Sequence, residues 1–338
     1  MRIALVIVSQ GYGGLERHLV DLANELARDH EIVVFGDPSF RTKLDAKVGL
    51  FSLSAKTWRH NLFSLWRLRR NLSLFAPDVI HAQANKAAAM VRSCGVKAPV
   101  MIATIHNIKN QTRPFLHFDG VIAVSRAAQA RLQHSNSVVI ENGITPIERI
   151  SESERSKLRR TWVASDEPLT IAIGRLVTAK GFDLLLEAWQ DLPGKLVIVG
   201  TGPEENTLQT QQKKLGLENR VIFAGYRADV PMLMQSADLL VMPSRREGFP
   251  YVLVEALHAG VPIVATDIPG ARDFLPAEAV VSCENSGALH AALAQALSNW
   301  KNLKESYAPY SARARDKLTL KRMAERTLSF YVQTRARC

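Results

Sequence analysis

Cysteine is scarce in this chain. Cys94, Cys283 and Cys338 are odd in number and far apart, which excludes a disulfide framework and a structural zinc spacing. They read as buried or idle thiols. No apolar run reaches the roughly 18–20 residues needed to cross a bilayer. The opening run, residues 3–8, is too short and meets glycine too soon for a secretion signal, so a cytoplasmic protein is expected. No pair of histidines has metal-ligand spacing, and no bound metal is inferred. Short repeats, low-complexity tracts and RNA- or DNA-binding signatures are all missing, so no nucleic-acid partner is expected.

What the chain does have is an ordinary globular composition, 47% hydrophobic and 22% charged over 338 residues, enough for two domains. Its net charge of +11 is uneven. Residues 1–150 carry 19 Lys/Arg against 11 Asp/Glu, residues 151–300 carry 14 against 18, and residues 301–338 carry 10 against 3. The positive field belongs to the N-terminal half and the tail, which points to a polyanion or an anionic membrane surface.

Short apolar runs alternate with helical patterns throughout. Strands are expected at residues 3–8, 32–35, 79–82, 100–105, 120–124 and 138–140, then at 169–173, 196–199, 221–224, 239–242, 262–265 and 279–282. Helices are expected between them, at 15–28, 62–75 and 126–133, then at 182–191, 204–215, 230–235, 251–259 and 287–300. Continuous apolar strands alternating with helices mean parallel sheets covered on both faces. The expectation is therefore an α/β chain of two doubly wound, Rossmann-like domains, residues 1–150 and 151–310. A polar linker at 145–160 joins them. A basic helix follows from 311, within a tail of 311–338, and either closes the second domain or crosses back to the first.

Ligands of doubly wound folds gather at the carboxyl ends of the strands, and several polar residues fall there. Gly11-Tyr12-Gly13-Gly14 follows the first strand. It suits close approach of backbone N–H groups to an oxyanion, or simply a tight turn. Glu16 stands where a dinucleotide fingerprint wants a small residue, although Asp37 does follow the second strand. His81 and His106 each end a strand, where an imidazole can bond a ligand hydroxyl or serve the core. Arg175 and Lys180 flank the strand-to-helix connection Gly174-Arg175-Leu176-Val177-Thr178-Ala179-Lys180-Gly181, an arrangement suited to a pyrophosphate; the Walker order is absent. Glu247 follows the fourth strand of the second half. Pro250 has the φ of a first helical residue, and Glu255 then lies within the helix. The two acids suit the neighbouring hydroxyls of a ribose and a sugar. Residues 56–70 mix Trp58, Phe63 and Trp66 with Arg59, Arg67, Arg69 and Arg70, as a helix in a membrane interface would, or an ordinary amphipathic core helix with a basic outer face.

Taken in order, these residues resemble the retaining glycosyltransferases of family 4, which have the GT-B fold of two Rossmann-like domains facing across a cleft. The resemblance spans nearly the whole chain. It rests on Gly13-Gly14-Leu15-Glu16, Val121-Ile122-Ala123-Val124-Ser125, Glu141-Asn142-Gly143-Ile144, Gly174-Arg175-Leu176 with Lys180-Gly181, Val199-Gly200-Thr201-Gly202-Pro203 and Gly225-Tyr226. It continues through Glu247-Gly248-Phe249 with Glu255-Ala256, the family's Glu-x7-Glu motif, and Gly260-Val261-Pro262.

The resemblance implies an N-terminal acceptor-binding domain and a C-terminal domain that binds a nucleotide sugar, most often a UDP-sugar, as substrate, with no cofactor. It implies that Gly13 and Gly14 hold donor phosphates and that Arg175 and Lys180 stabilise the leaving diphosphate. Glu255 meets the ribose, backbone near Tyr226 meets the base, and Gly248 and Phe249 lie against the donor. Glu247 contacts the transferred sugar, and His106 a sugar hydroxyl. The implied acceptor is a glycan or lipid-linked glycan of lipopolysaccharide core or surface polysaccharide, reached at the inner face of the membrane. Pro250 and Tyr251 depart from the commoner Gly-Leu, Asn107 from histidine or aspartate, and Thr145 from aspartate. A GT-B sugar-nucleotide epimerase, a non-catalytic sugar-nucleotide-binding protein and a nicotinamide-dependent oxidoreductase are the alternatives.

Overall fold

A computed structural model describes residues 1–9, 11, 13–54, 61–108, 111–164 and 166–337. The chain divides into two units, Met1–Ile144 with Leu318–Cys338, and Thr145–Lys317. The expected divisions after residues 150 and 310 fall instead after 144 and 317.

The first unit runs β1 (Arg2–Ile7), α1 (Gly14–Leu26), β2 (Glu31–Gly36), β3 (Gly49–Ser52), α2 (Leu62–Phe75), β4 (Val79–Gln83), α3 (Ala84–Ser93), β5 (Val100–Ile105), β6 (Gly120–Ala123), α4 (Arg126–Gln129) and β7 (Ser137–Val139). Its described strands form a parallel sheet in the order β3-β2-β1-β4-β5-β6-β7. Successive residues of a strand point to opposite faces. In β1, Ala4 and Val6 pack with Leu65, Leu68 and Phe75 of α2, while Ile3, Leu5 and Ile7 pack with Leu19, Leu22 and Leu26 of α1. Cover on both faces is why the strand is an unbroken apolar run.

The second unit repeats the plan with α5 (Glu152–Arg160), β8 (Leu169–Ile173), α6 (Phe182–Ala188), β9 (Lys195–Val199), α7 (Glu205–Lys214), β10 (Val221–Phe223), α8 (Val230–Ser236), β11 (Leu239–Met242), α9 (Tyr251–Ala259), β12 (Ile263–Thr266), α10 (Ala271–Phe274), β13 (Val280–Val281), α11 (Ser286–Ser298) and α12 (Leu303–Lys317). Its parallel sheet has the order β10-β9-β8-β11-β12-β13. In each sheet the strand order reverses once, beside β1 and β4 in the first and beside β8 and β11 in the second. Ligands of doubly wound sheets lie outside the carboxyl ends of the strands at such reversals.

Three expectations need correction. The supposed linker contains α5, whose N-terminus is closed by Ser151 and Glu154: the Ser151 N–H donates to Glu154 Oε2 at 2.9 Å and the Glu154 N–H to Ser151 Oγ at 3.2 Å. A capping box of this kind offsets the solvent exposure of a helix with no buried residue. The supposed single basic helix is two, because the chain extends after α12 and restarts as α13 (Leu320–Arg335), capped by Thr319 Oγ1, which accepts the Arg322 N–H. Strand β3 and helix α3 were not expected at all.

Helix α13 belongs to the first unit. Ile144 and Thr319 form a parallel bridge, and a Cβ on Gly143 would lie 2.2 Å from the Thr319 carbonyl oxygen. Hence Glu141-Asn142-Gly143-Ile144 is where the returning chain docks, and Gly143 is small for that reason. Met323, Ala324, Phe330 and Tyr331 then join the α1 side of the core.

Candidate active site

In the second unit the connection leaving β8 is built on close backbone approach. The Gly174 N–H donates to the Val199 carbonyl at 3.0 Å, and the Leu176 N–H to that of Thr201 at 3.0 Å. A Cβ on Gly200 would sit 1.9 Å from the Gly174 oxygen, and one on Gly202 2.2 Å from that of Leu176. The glycines therefore bring the loops after β8 and β9 into contact. Gly181 follows with φ +67°, and any Cβ there would lie 2.1 Å from the Pro243 oxygen. This fixes the β8 loop against the end of β11, at the reversal in strand order.

Lys180 and Glu247 meet at that point. Nζ and Oε1 are 2.5 Å apart, and both side chains are largely buried. Ser244 Oγ also donates to Glu247 Oε1, at 2.9 Å. The main-chain N–H groups of Arg245 and Arg246 donate to the Ala179 carbonyl at 2.9 and 3.3 Å, tying the two loops together beside the pair. Arg175 is exposed on the same loop, outside every ion pair among the described residues. Gly248 is buried. Glu255 stands half-buried one turn into α9. Tyr226 is 80% exposed at the mouth of the β10 loop.

Pro250 and Phe249 differ from expectation. Pro250 precedes the helix with ψ 133°, as its N-terminal cap, so the first helical residue is Tyr251. Phe249 is buried edge-on to Phe274 with ring centroids 6.3 Å apart. Its ring is therefore part of the packing against α10.

The first unit gathers a separate polar cluster at the ends of β4 and β5. His106 is stacked edge-to-face with His18 of α1, centroids 4.7 Å apart. Its Nε2 is 2.7 Å from Gln83 Oε1. Gln83 Nε2 is 3.3 Å from His81 Nε2, Thr104 Oγ1 is 2.6 Å from the same nitrogen, and Tyr331 Oη is 2.6 Å from His81 Nδ1. His18 Nδ1 is 2.9 Å from Asn142 Oδ1. Burial pushes all three imidazoles down: His18 to about 4, His81 to about 3, and His106 well below the usual range. With neutral rings and the Gln83 oxygen turned to His106, the cluster has one consistent set of donors. Gln83 Oε1 accepts from His106 Nε2–H, and Gln83 Nε2 donates to His81 Nε2, which Thr104 also donates to. His81 Nδ1–H then donates to Tyr331. His106 is left with an unprotonated Nδ1, a hydrogen-bond acceptor. His81 is thus a satisfied core residue.

At the N-terminus of α1 the Gly13 N–H donates to Glu16 Oε2 at 2.8 Å. Glu16 is buried, so the chain's own carboxylate already uses one of the N–H groups expected to meet a phosphate. Gly14 opens the helix behind it. Tyr12 lies outside the described residues. Sequence reasoning passed over His18, Gln83, Asn142's side chain and Tyr331. A histidine on the apolar face of α1, four residues before Leu22, was the available signal for the first.

Two parallel α/β sheets, each with polar residues massed at the point of reversal, define the GT-B class. Residues 12–147 match the family model described as Glycosyltransferase Family 4, and residues 154–316 the model described as Glycosyl transferases group 1. The chain belongs to glycosyltransferase family 4. It is 26% identical over 287 residues to the lipopolysaccharide core biosynthesis glycosyltransferase LpsE of Rhizobium meliloti, covering 78% of each chain. It is 25% identical over 294 residues to the O-antigen biosynthesis glycosyltransferase WclY of Escherichia coli, covering 80% of this chain and 81% of that one. Among solved structures, Anabaena Alr3699/HepE in complex with UDP-glucose superposes with a TM-score of 0.86 at 25% identity, over 97% of this chain and 99% of that one.

Proposed function

We propose that this glycosyltransferase moves a hexose or N-acetylhexosamine from a UDP-sugar to a glycan or lipid-linked glycan, with retention at the anomeric carbon, in lipopolysaccharide core or surface-polysaccharide synthesis. The observation that carries this reading is the Lys180–Glu247 pair at the strand reversal of the second sheet. Departure of UDP builds negative charge on diphosphate oxygens. A cation held by the fold meets that charge without reorganising, and this is where such groups gain most. In this reading Lys180 and Arg175 take the diphosphate, Glu247 the sugar and Glu255 the ribose. Backbone at Gly248, Phe249 and beside Tyr226 lines the donor. His106 accepts a sugar hydroxyl at Nδ1, and Gly13 and Gly14 approach the phosphates. The names of the similar proteins from Rhizobium, Escherichia and Anabaena support the acceptor class and the uridine base.

The surface of α2 supports a membrane-bound acceptor. Leu65, Leu68, Leu72 and Phe75 face the core. Leu62, Phe63, Trp66 and Leu74 are exposed, interleaved with exposed Arg67, Arg69 and Arg70. Phe63 stacks on Trp66 at 6.1 Å and Arg70 lies over Trp66 at 6.0 Å. Rings beside arginines suit the head-group region of an anionic leaflet. Trp58 and Arg59 lie outside the described residues, and no described helix is long and apolar enough to cross a membrane.

A thermal-shift screen against UDP-, GDP- and ADP-sugars and NAD tests the reading. The right donor at about 100 times its Kd stabilises by about 2.7 kcal/mol. A shift with NAD and with no nucleotide sugar would sink the proposal.

A further inference from the structure

Arg245 makes more contacts than any role assigned so far explains. Nη1 and Nη2 donate to the two oxygens of Asp183 at 2.6 and 2.7 Å. Nε is 2.8 and 3.0 Å from the two oxygens of Glu284, and Nη1 also donates to the Thr178 carbonyl at 2.9 Å. One guanidinium thus joins three loops, those after β8, β11 and β13. Its partners bracket Lys180: Thr178 lies two residues before it, and Asp183 three after. Ala179 accepts the main-chain N–H of Arg245 itself. Glu247 is two residues beyond Arg245. Glu284 reaches the fork from a left-handed backbone, φ 59°, a conformation that a non-glycine residue keeps only where its surroundings impose it.

We propose that Arg245, held by Asp183 and Glu284, is the positioning residue that sets the Lys180–Glu247 spacing. The inference rests on the reading that this pair meets the donor. The Glu284 carboxylate is 61% exposed and that of Asp183 41%, and ion pairs so open to water add little to stability. What the fork supplies is geometry. Its planar donors fix direction as well as distance, which an ammonium cannot do.

The test measures UDP release from UDP-glucose and UDP-N-acetylglucosamine, together with the thermal midpoint, for Arg245→Lys, Arg245→Met, Glu284→Gln and Lys180→Ala. A displacement of about 1 Å at a reacting centre costs up to about 100-fold in rate. Arg245→Met is therefore expected to lower kcat about 10- to 100-fold, with donor KM within about threefold and the midpoint little changed. Arg245→Lys falls between it and the wild type, and Glu284→Gln, at an exposed site, loses a few-fold in kcat. Wild-type kcat in Arg245→Met, or a kcat loss matched by a collapse of the midpoint, overturns the inference. Should Arg245→Met fail to fold, wild-type kcat in Glu284→Gln does the same. Either result with Lys180→Ala inactive leaves the donor reading standing, whereas full activity in Lys180→Ala removes that reading itself.

Discussion

Lys180 Nζ and Glu247 Oε1 lie 2.5 Å apart although 67 residues separate them in the chain. The cation that would meet a diphosphate is therefore already opposed by one of the chain's own carboxylates. That pairing places both groups at the same spot and gives them opposite effects on an anionic ligand.

Replacing Lys180 by alanine removes a prepositioned cation. Turnover is expected to fall about 10²–10³-fold, or about 3–4 kcal/mol in the barrier, with the thermal midpoint within a few degrees of wild type. Steady-state UDP release checks it, and unchanged kcat refutes the role given to Lys180.

Glu247→Gln keeps the shape and removes the opposing charge. At the few-ångström separation of the pair the electrostatic effect amounts to about 1 kcal/mol or more. UDP is expected to bind about fivefold or more tightly, while transfer slows. Calorimetric titration with UDP decides this, and weaker binding would show that Glu247 does not oppose the ligand's charge.

The buried imidazoles make the first unit acid-sensitive. His18 and His81 stay neutral when folded, at about 4 and about 3, but titrate near 6.5 when unfolded. Below 6.5 the unfolded chain binds more protons, so stability is full above about pH 6.5 and drains away as pH falls towards 4. For His18 alone the loss reaches about 3 kcal/mol by pH 4. Urea midpoints at pH 7.5 and pH 5 measure the slope, which His18→Asn should flatten; equal midpoints would contradict the assignment.

Vesicle flotation tests the outer face of α2. Phe63→Ser with Trp66→Ser is expected to weaken recovery with phosphatidylglycerol vesicles about tenfold or more, since each ring buries roughly 1.5–3 kcal/mol of apolar surface. Arg67, Arg69 and Arg70 changed to glutamine should weaken it and reduce its salt dependence. Equal flotation with neutral and anionic lipid would discard the membrane reading.

Gly143→Ala drives a methyl group into the Thr319 carbonyl, 2.2 Å from the ideal Cβ position. Forced overpacking of this kind costs about 1–3 kcal/mol, so the thermal midpoint should drop by several degrees. An unchanged midpoint would mean that the α13 junction is looser than described.

Both parallel sheets were legible because their strands are buried on both faces and so read as apolar runs with helices between. Strand β3, four residues beginning with glycine, has too little apolar content to register. Helix α3 buries Ala87, Ala88, Met90 and Val91, a face whose small alanines give a weak periodicity. Helix α5 buries nothing and reads as a linker, although Ser151-x-x-Glu154 is a helix-start signal. In the site, Arg175, Lys180 and Glu247 were visible because they fall in the connections that follow strands β8 and β11. Arg245 was not, since Asp183 and Glu284 lie 62 and 39 residues away and only the fold brings them to its fork. The Glu16 carboxylate at the Gly13 N–H was likewise hidden, because the same residues also spell a phosphate loop.

The way α13 returns has a consequence for biosynthesis. The ribosome makes the seven-stranded sheet first, then the entire second unit, and only afterwards the helix that carries Phe330 and Tyr331. At typical elongation rates this delay lasts roughly ten seconds or more. Until then Ile3, Leu5 and Ile7 lack the cover of Phe330 and Tyr331, and His81 Nδ1 lacks its Tyr331 partner. Completion of the first unit is thus deferred until the whole of the second has been made.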